Sequence, residues 1–147
     1  MNRQAAAEDV ARVLVVDDDE DSRLLIQFLL ERQGYTVVLA DSGPAAISVL
    51  ESTEVDVVVL DVMMPMMDGF AVCRELKKLD STASVPVILL TARDDMQTRA
   101  TGMKLGVSDF LAKPVKKEEL YARIRTQLDG RQRARELEKA QRRVETL

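Results

Sequence analysis

The strongest constraint on the fold is the alternation of five short apolar runs with amphipathic stretches along this 147-residue chain. The runs are rich in β-branched residues and too short for helices, which is typical of buried strands. They cover residues 13–16, 35–40, 55–60, 86–90 and 110–112. The helical patterns cover about 21–33, 44–50, 70–79 and 95–105, and a last one runs from 116 to the end. This alternation predicts an α/β fold, a doubly wound parallel sheet with helices on both faces.

Apolar spacing within two of the helical patterns predicts which side chains share a face. In the first pattern these are Leu24, Leu25, Phe28 and Leu29. In the third pattern the residues spaced for a core face are Val72, Cys73, Leu76 and Leu79. A lone cysteine on an apolar helix face is typical of an inert core thiol.

The composition excludes several kinds of chemistry. The chain has no histidine and one cysteine, so it cannot supply a Ser-His-Asp triad, an ordinary catalytic zinc site or an internal disulfide. Its net charge of −4 does not favour binding to nucleic acid. No apolar run approaches the roughly 18 residues of a membrane span. We therefore expect a cytoplasmic protein whose chemistry rests on carboxylates, hydroxyls and lysines, or on a bound metal ion.

Polar side chains follow four of the predicted strands. The first strand is followed by Asp17 and Asp18, the third by Asp61, the fourth by Thr91 and the fifth by Lys113. In doubly wound sheets, ligands bind outside the carboxyl ends of the strands, so these side chains should converge. Each also has an ordinary structural explanation, because an acidic run can cap a helix, a threonine can end a strand and a lysine can be solvated. Their joint occurrence favours a shared site.

The residue types at this edge suit phosphoryl chemistry with a divalent cation. Neighbouring carboxylates repel one another, and Mg²⁺ removes that repulsion while it keeps water and phosphate oxygens as further ligands. A lysine and a threonine can then contact a transferred phosphoryl group. A carboxylate can itself be the nucleophile. Asp61 is the candidate because it stands alone at the end of the predicted central strand.

These residues, in this order, resemble the receiver domain of bacterial two-component response regulators. The resemblance covers about residues 11–128. It rests on the apolar strand with its acidic pair at 13–18, the segment DVMMPMMDG at 61–69, Thr91-Ala92, and the segment DFLAKP at 109–114. It implies the flavodoxin-like (βα)5 sandwich of the chemotaxis receiver, with strand order 2-1-3-4-5 and here an extended C-terminal helix.

The resemblance also implies roles for the acidic residues. Asp61 would be the phosphoacceptor. Asp18 would bind Mg²⁺ directly and Asp17 mainly through water, while Asp61 and the backbone carbonyl of Met63 would complete the protein ligands. Met63 and Arg93 would occupy the two variable positions that tune how long the aspartyl-phosphate survives.

The remaining site residues would contact the phosphoryl group or respond to it. Lys113, Thr91 and the backbone N–H of Ala92 would contact the phosphoryl oxygens. Phe110 would be the switch aromatic, which turns inward when Thr91 moves toward the phosphoryl group. The resemblance implies a cis peptide bond between Lys113 and Pro114, although a proline here can also simply open the last helix.

Residues 129–147 exceed what a receiver needs. Four apolar residues in this segment have the spacing of the a and d positions of a coiled coil, namely Leu137, Ala140, Val144 and Leu147. This spacing predicts either a signalling linker with a coiled-coil seam or a merely solvated helix. The Asp129-Gly130 pair predicts a break or a kink. We expect a loosely ordered segment at 1–10, the receiver at 11–128 and a helical extension after it, either as a stand-alone receiver or as a piece of a longer protein.

The function implied is a phosphorylation-controlled switch rather than an enzyme, since the chain would catalyse only its own phosphorylation and dephosphorylation. The donor would be a sensor histidine kinase or a histidine phosphotransfer protein, or a small molecule such as acetyl phosphate, because the chain has no histidine. Phosphorylation would change the face formed by the fourth helix, fifth strand and fifth helix. That change would control homodimerisation or an output domain outside this chain.

Three other interpretations remain at the level of sequence. A haloacid-dehalogenase-type aspartyl-phosphate phosphatase would fit Val13–Asp19, but that family continues with Thr or Val, whereas Glu20 and Asp21 follow here. A flavin- or nucleotide-binding protein is disfavoured because the chain has few aromatic residues and neither GxGxxG nor a P-loop. The methionines at 63–67 permit a soft-metal site, although packing also explains them.

Overall fold

The computed structural model describes residues 10–92 and 95–146 of the chain. The strands are β1 (Arg12–Val16), β2 (Thr36–Ala40), β3 (Val57–Asp61), β4 (Val87–Ala92) and β5 (Asp109–Lys113). The helices are α1 (Glu20–Arg32), α2 (Gly43–Ser52), α3 (Gly69–Lys78), α4 (Met96–Lys104) and α5 (Lys117–Thr146). The predicted alternation of strands and helices is confirmed. The segment expected to be loosely ordered lies outside the described residues, apart from Val10.

The strands form one parallel sheet in the order β2-β1-β3-β4-β5, as predicted. The register places Val59 of β3 opposite both Val15 of β1 and Ile88 of β4. All of β3 is buried because it is the central strand and helices cover both faces of the sheet. Its last residue, Asp61, therefore lies between the carboxyl ends of β1 and β4. Because β4 extends to Ala92, Thr91 lies within that strand rather than after it.

Two apolar layers hold the helices against the sheet. On one face, α2 and α3 pack through buried residues such as Leu50, Val72 and Leu76. On the other face, α1 and α5 bury Ile26, Leu30, Leu120 and Ile124. Burial of each such aliphatic side chain contributes about 1.5–3 kcal/mol, so these two layers fix which helix lies on which face.

The apolar face predicted for α1 is wrong. The fully buried residues of this helix are Ile26 and Leu30, and Leu29 is only partly buried. The other three residues of the predicted face are Leu24, Leu25 and Phe28, which are 44%, 48% and 56% exposed. Apolar side chains cover most of the circumference of α1, so their spacing does not select a single face.

In α3 the prediction holds for three residues of four. Val72, Cys73 and Leu76 are buried, and burial raises the pKa of the Cys73 thiol to about 11, as an inert core thiol requires. Leu79 follows the last residue of the helix, where the backbone has turned to an extended conformation, and it is 46% exposed.

Helix α5 is a single helix of 30 residues that runs through Asp129 and Gly130, where a break or kink was expected. Nothing lies within 4 Å of where a Cβ of Gly130 would be, so this glycine is in open space. The first half of α5 is anchored in the core, whereas Leu137 and Val144 in the second half are 62% and 71% exposed. Leu147, the last residue of the predicted seam, lies outside the described residues. None of the helices within residues 10–92 and 95–146 has the length and hydrophobicity that a membrane span requires.

Candidate functional site

The carboxyl edge of the sheet brings three aspartates together. Asp17 directly follows β1 and Asp61 ends β3, and these two strands are hydrogen-bonded neighbours. One carboxylate oxygen from each of Asp17, Asp18 and Asp61 lies within 4.8 Å of the other two. Asp17 and Asp61 are only 0% and 4% exposed, whereas Asp18 faces solvent. The pocket is therefore dry on its inner side and open to water on its outer side.

Backbone contacts fix the orientation of Asp17. Its Oδ1 accepts a hydrogen bond of 3.0 Å from the Asp19 amide, and its carbonyl accepts one of 2.8 Å from Arg23 Nη1. The cap of α1 is Asp19, whose side chain accepts from the Ser22 amide at 3.1 Å. Helix capping thus explains Asp19, but it does not explain why Asp17 and Asp18 stand before it.

Lys113 extends from the end of β5 into this group of carboxylates. Its Nζ lies 3.0 Å from Asp17 Oδ2 and 3.2 Å from Asp61 Oδ2. Both contacts are ion pairs, and the one with Asp61 is also a hydrogen bond. The Lys113–Pro114 peptide bond is cis in the structure. Lys113 is therefore a member of the site, and we call Asp17, Asp18, Asp61 and Lys113 the acidic pocket.

The charge of the acidic pocket is unbalanced. Burial, together with the charge of Asp17, raises the pKa of Asp61 to about 6, although Lys113 opposes that rise. Burial also acts to raise the pKa of Asp17, but hydrogen bonds from Ser22 and the Asp19 amide, together with Lys113, hold it below its usual value. The two carboxylates in turn raise the pKa of Lys113 against the effect of burial. Three carboxylates share one ammonium, so a hard divalent cation with oxygen ligands fits this donor set.

Thr91 lies on the strand next to Asp61. In the register of β3 and β4, Asp61 is opposite Leu90, the residue before Thr91. Thr91 is 2% exposed, and its Oγ1 has no hydrogen-bond partner within the described residues. A buried hydroxyl without a partner costs free energy, so it marks a place where a ligand oxygen could bind. Ala92, the next residue, is exposed at the mouth of the site.

The loop after β3 holds the backbone of Asp61 closely. The Gly69 amide donates to the Val62 carbonyl at 3.0 Å, and the Met63 amide donates to Asp61 Oδ1 at 3.3 Å. A Cβ on Gly69 would lie 2.5 Å from the Asp61 carbonyl oxygen, so only glycine fits there. Asp68 then caps α3 by accepting from the Ala71 amide at 2.9 Å.

The methionines of this loop have separate environments. Met64 is buried in the core, Met63 and Met66 are 78% and 103% exposed, and the side chain of Met67 packs where a Cβ of Gly43 would be. Packing and exposure therefore account for them, and the soft-metal interpretation gains no support.

Phe110, a residue of β5, packs against α4. Its ring fills the space beside Gly102, where an added Cβ would lie 2.9 Å from Phe110 Cε1. The guanidinium of Arg99 lies 5.6 Å from the ring centroid, a cation–π contact. Neither contact was predicted from the sequence, although a glycine inside a helical pattern was a signal of close packing. Arg93, the predicted neighbour of the site, lies outside the described residues.

Comparison with known proteins agrees with this geometry. Residues 13–125 match the model of the response regulator receiver domain. The chain therefore belongs to the response regulator receiver family. It is 45% identical over 116 residues to the response regulator PleD of Caulobacter vibrioides, which covers 79% of this chain and 26% of PleD. The predicted flavodoxin-like receiver fold is thereby confirmed.

Two solved structures show the same architecture. The chemotaxis response regulator CheY4 of Vibrio cholerae matches with a TM-score of 0.77 and 28% identity, over 81% of this chain and 99% of that one. The receiver domain of the sensor histidine kinase PA1611 of Pseudomonas aeruginosa PAO1 matches with a TM-score of 0.76 and 29% identity, over 82% of this chain and 98% of that one. That receiver was crystallised with a magnesium ion coordinated in its active-site cleft. The chain spans half or less of the length of the curated relatives it matches.

Proposed function

We propose that this receiver accepts a phosphoryl group on Asp61 and acts as a phosphorylation-controlled switch. The observation that carries this proposal is the acidic pocket beside Thr91, whose buried hydroxyl has no partner within the described residues. Asp61 is the nucleophile because it is the carboxylate at the centre of the sheet edge, held by the Met63 amide and by Lys113.

The reaction is a direct displacement at phosphorus. An oxygen of the Asp61 carboxylate forms a bond to phosphorus while the bond between phosphorus and the donor nitrogen or oxygen breaks, and the leaving group takes a proton from water. Asp17, Asp18, Asp61 and the carbonyl of Met63 would hold Mg²⁺, which supplies positive charge to the phosphoryl oxygens. Lys113 moves from its ion pairs to a phosphoryl oxygen, and the Thr91 hydroxyl and the Ala92 amide donate to others.

The phosphoryl donor is a histidine outside these 147 residues, which contain none. A sensor histidine kinase or a histidine phosphotransfer protein fits this role, and acetyl phosphate is the small-molecule substitute. The chain catalyses only its own phosphorylation and dephosphorylation, so it is a switch rather than an enzyme with a separate substrate.

The readout of the switch is the face formed by α4, β5 and α5. When Thr91 moves toward the phosphoryl group, Phe110 turns into the space that it leaves, and its contacts with Gly102 and Arg99 change. That change would control homodimerisation through this face and the C-terminal helix, or the activity of an output domain. The magnesium-bound relative and the family membership support the chemistry of the site.

Phosphorylation by acetyl phosphate, followed by intact mass spectrometry, tests the proposal. We expect one added phosphoryl group in the presence of MgCl₂ and none after chelation with EDTA. Asp61→Asn should abolish the addition. Asp41→Asn is the matched control, because Asp41 is an exposed carboxylate that follows β2 at the same edge of the sheet, outside the acidic pocket. Modification that survives Asp61→Asn would contradict the assignment.

Light scattering tests the homodimer separately. We expect beryllofluoride with Mg²⁺ to increase the molar mass of the wild type and to leave Asp61→Ala unchanged. An unchanged wild type that still binds Mg²⁺ would overturn the dimer switch while leaving the phosphoacceptor proposal intact. Steady turnover of a small phosphate ester that survives Asp61→Asn would instead indicate a phosphatase.

A further inference from the structure

The amino edge of the sheet, opposite the acidic pocket, carries a second cluster of charges. Here the extension of α5 passes the loop between α2 and β3. Arg131 and Arg135 on the helix face Glu54 and Asp56 on the loop. Because the two arginines are far from the two carboxylates in sequence, these ion pairs attach the extension of α5 to the body of the domain.

The contacts form a connected network. Arg131 Nε lies 3.7 Å and Arg135 Nη1 3.6 Å from the same Asp56 oxygen, Oδ1. Arg135 Nη2 lies 3.4 Å from Glu54 Oε1, and Arg131 Nη1 donates to the Ser84 carbonyl at 3.3 Å. We call Arg131, Arg135, Glu54 and Asp56 the arginine clamp.

The loop side of the arginine clamp is itself fixed. Asp56 Oδ2 accepts a hydrogen bond of 2.8 Å from the backbone amide of Arg12, at the start of β1. Arg12 Nη1 donates to the Glu54 carbonyl at 3.0 Å. The carboxylate that both clamp arginines face is therefore attached to the first residue of the sheet, and it can resist movement of the helix.

Burial distinguishes Arg131 from an ordinary surface arginine. Its side chain is 11% exposed, and burial, together with the charge of Arg135, lowers the pKa of its guanidinium against the opposing effects of Asp56 and Glu54. An arginine that has lost most of its hydration depends on its protein partners. Beyond Arg135 the helix has no comparable burial, because every residue from 136 to 145 is exposed.

We infer that the arginine clamp fixes the direction in which residues 136–146 leave the domain. The core holds α5 as far as Ile124, and the arginine clamp holds it for about two to three further turns, at 3.6 residues per turn. The projecting segment is thus a continuation of a helix that is attached to one face of the sheet by the core and to the amino edge by the arginine clamp. The inference does not depend on phosphorylation of Asp61.

Pulsed electron–electron spin resonance between two nitroxide labels tests this inference. The labels are placed at Ser48→Cys on α2 and Gln141→Cys on the projecting segment, both exposed positions. Cys73 is fully buried and should not react. Dilution with unlabelled protein keeps the measured distances within one chain. We expect a narrow distance distribution for the labelled chain that is otherwise wild type.

Three variants separate the arginine clamp from the helix itself. Arg131→Gln with Arg135→Gln should broaden the distribution, whereas Arg133→Gln with Lys139→Gln, on exposed positions of the same helix, should not. Glu54→Gln, which removes one of the two carboxylates that Arg135 faces, should broaden the distribution to a smaller extent than the double glutamine variant. An unchanged width in the double glutamine variant, or equal broadening in the control, would overturn the inference.

Amide hydrogen exchange gives an independent measurement. In the double glutamine variant, peptides covering 131–143 should exchange roughly tenfold faster, while peptides of β3 keep their protection. Faster hydrogen exchange throughout the chain would show that the double glutamine variant has lost its fold, and the distance distribution of Glu54→Gln would then decide the matter. Unchanged exchange at 131–143 would contradict the arginine clamp.

Discussion

The two edges of the sheet each hold a cluster of four charged side chains, and the clusters differ in balance. The acidic pocket at the carboxyl edge has three carboxylates for one ammonium. The arginine clamp at the amino edge has two carboxylates for two guanidiniums. An unbalanced buried cluster needs another cation, whereas a cluster of equal charges needs no further ion, even though Arg131 Nε has no hydrogen-bond partner within the described residues. The first arrangement suits binding and chemistry, and the second suits attachment.

The clusters also differ in how the backbone supports them. At the carboxyl edge, Gly69 packs directly on the Asp61 carbonyl, and Met66 has a left-handed backbone with a φ of 70°. At the amino edge, the clamp arginines lie on a regular helix whose one glycine, Gly130, is in open space. A site that must hold reacting atoms is built with close backbone contacts, whereas an attachment point between side chains is not.

The largest expected effect on stability is the contrast between substitutions of two glycines, one at each edge of the sheet. Gly69→Ala should destabilise the protein by about 3 kcal/mol, because a Cβ 2.5 Å from the Asp61 carbonyl oxygen forces the loop to move. Gly130→Ala should stabilise it by about 0.5–1 kcal/mol, because alanine is the better helix former and has free space there. Urea denaturation followed by circular dichroism measures both. Equal effects of the two substitutions would contradict a close contact between Gly69 and Asp61.

The pH dependence of stability tests the charge imbalance of the acidic pocket. The pKa of Asp61 is raised from 3.8 to about 6, which means that the folded state holds the Asp61 proton more tightly than the unfolded chain does. The stability that this protonation contributes is complete below about pH 4 and is lost as the pH rises through about 6. Asp61→Asn removes this loss. In metal-free buffer the variant should therefore match the wild type near pH 4 and exceed it by roughly 2 kcal/mol above about pH 7. A difference that is the same at both pH values would show that Asp61 is not destabilised by its charge.

Removal of the one cation of the acidic pocket should have a smaller effect. Lys113→Ala leaves Asp17 and Asp61 without their ion pairs and should cost about 1–2 kcal/mol, less than for a fully buried pair because Lys113 is 31% exposed. Lys116→Ala, on the exposed residue three positions later, is the matched control and should change stability by less than about 0.5 kcal/mol. Thermal melts without metal measure the loss. MgCl₂ should then raise the melting temperature of Lys113→Ala more than that of the wild type, and a smaller rise would argue against a shared cation site.

The acidic pocket was predictable from the sequence because parallel strands impose it. Once alternating strands and helices are recognised, residues such as Asp17, Asp61 and Lys113 must lie at one edge of the sheet, whatever the details of packing. The sequence could not show that Thr91 lacks a hydrogen-bond partner within the described residues, or that Gly69 touches the Asp61 backbone. These features depend on the path of a loop and on distances below 3 Å.

The face of α1 and the arginine clamp were not predictable for a different reason. Apolar side chains around most of α1 leave its rotation undetermined until the helix packs with the sheet and Val115. For the arginine clamp, charged residues on a helix look alike in sequence. Only the rotation of α5, set by the burial of Leu120 and Ile124, brings Arg131 rather than Arg133 toward Asp56. Tertiary packing decides both cases, and helical periodicity alone does not.

The smallest expected effect tests whether the loop at the carboxyl edge stores backbone strain. Met66 is fully exposed, so its side chain contributes little, while its left-handed φ costs a residue with a Cβ about 1–2 kcal/mol. Met66→Gly removes that cost but gives the unfolded chain more freedom, which returns about 0.5–1 kcal/mol. The net result should be a stabilisation of about 0.5 kcal/mol by urea denaturation. Met63→Gly, in the same loop but without a positive φ, should be destabilising instead, because it adds only the freedom of the unfolded chain. If both substitutions destabilise equally, the loop is not strained at Met66, and the backbone difference between the two edges of the sheet rests on the close contact of Gly69 with Asp61.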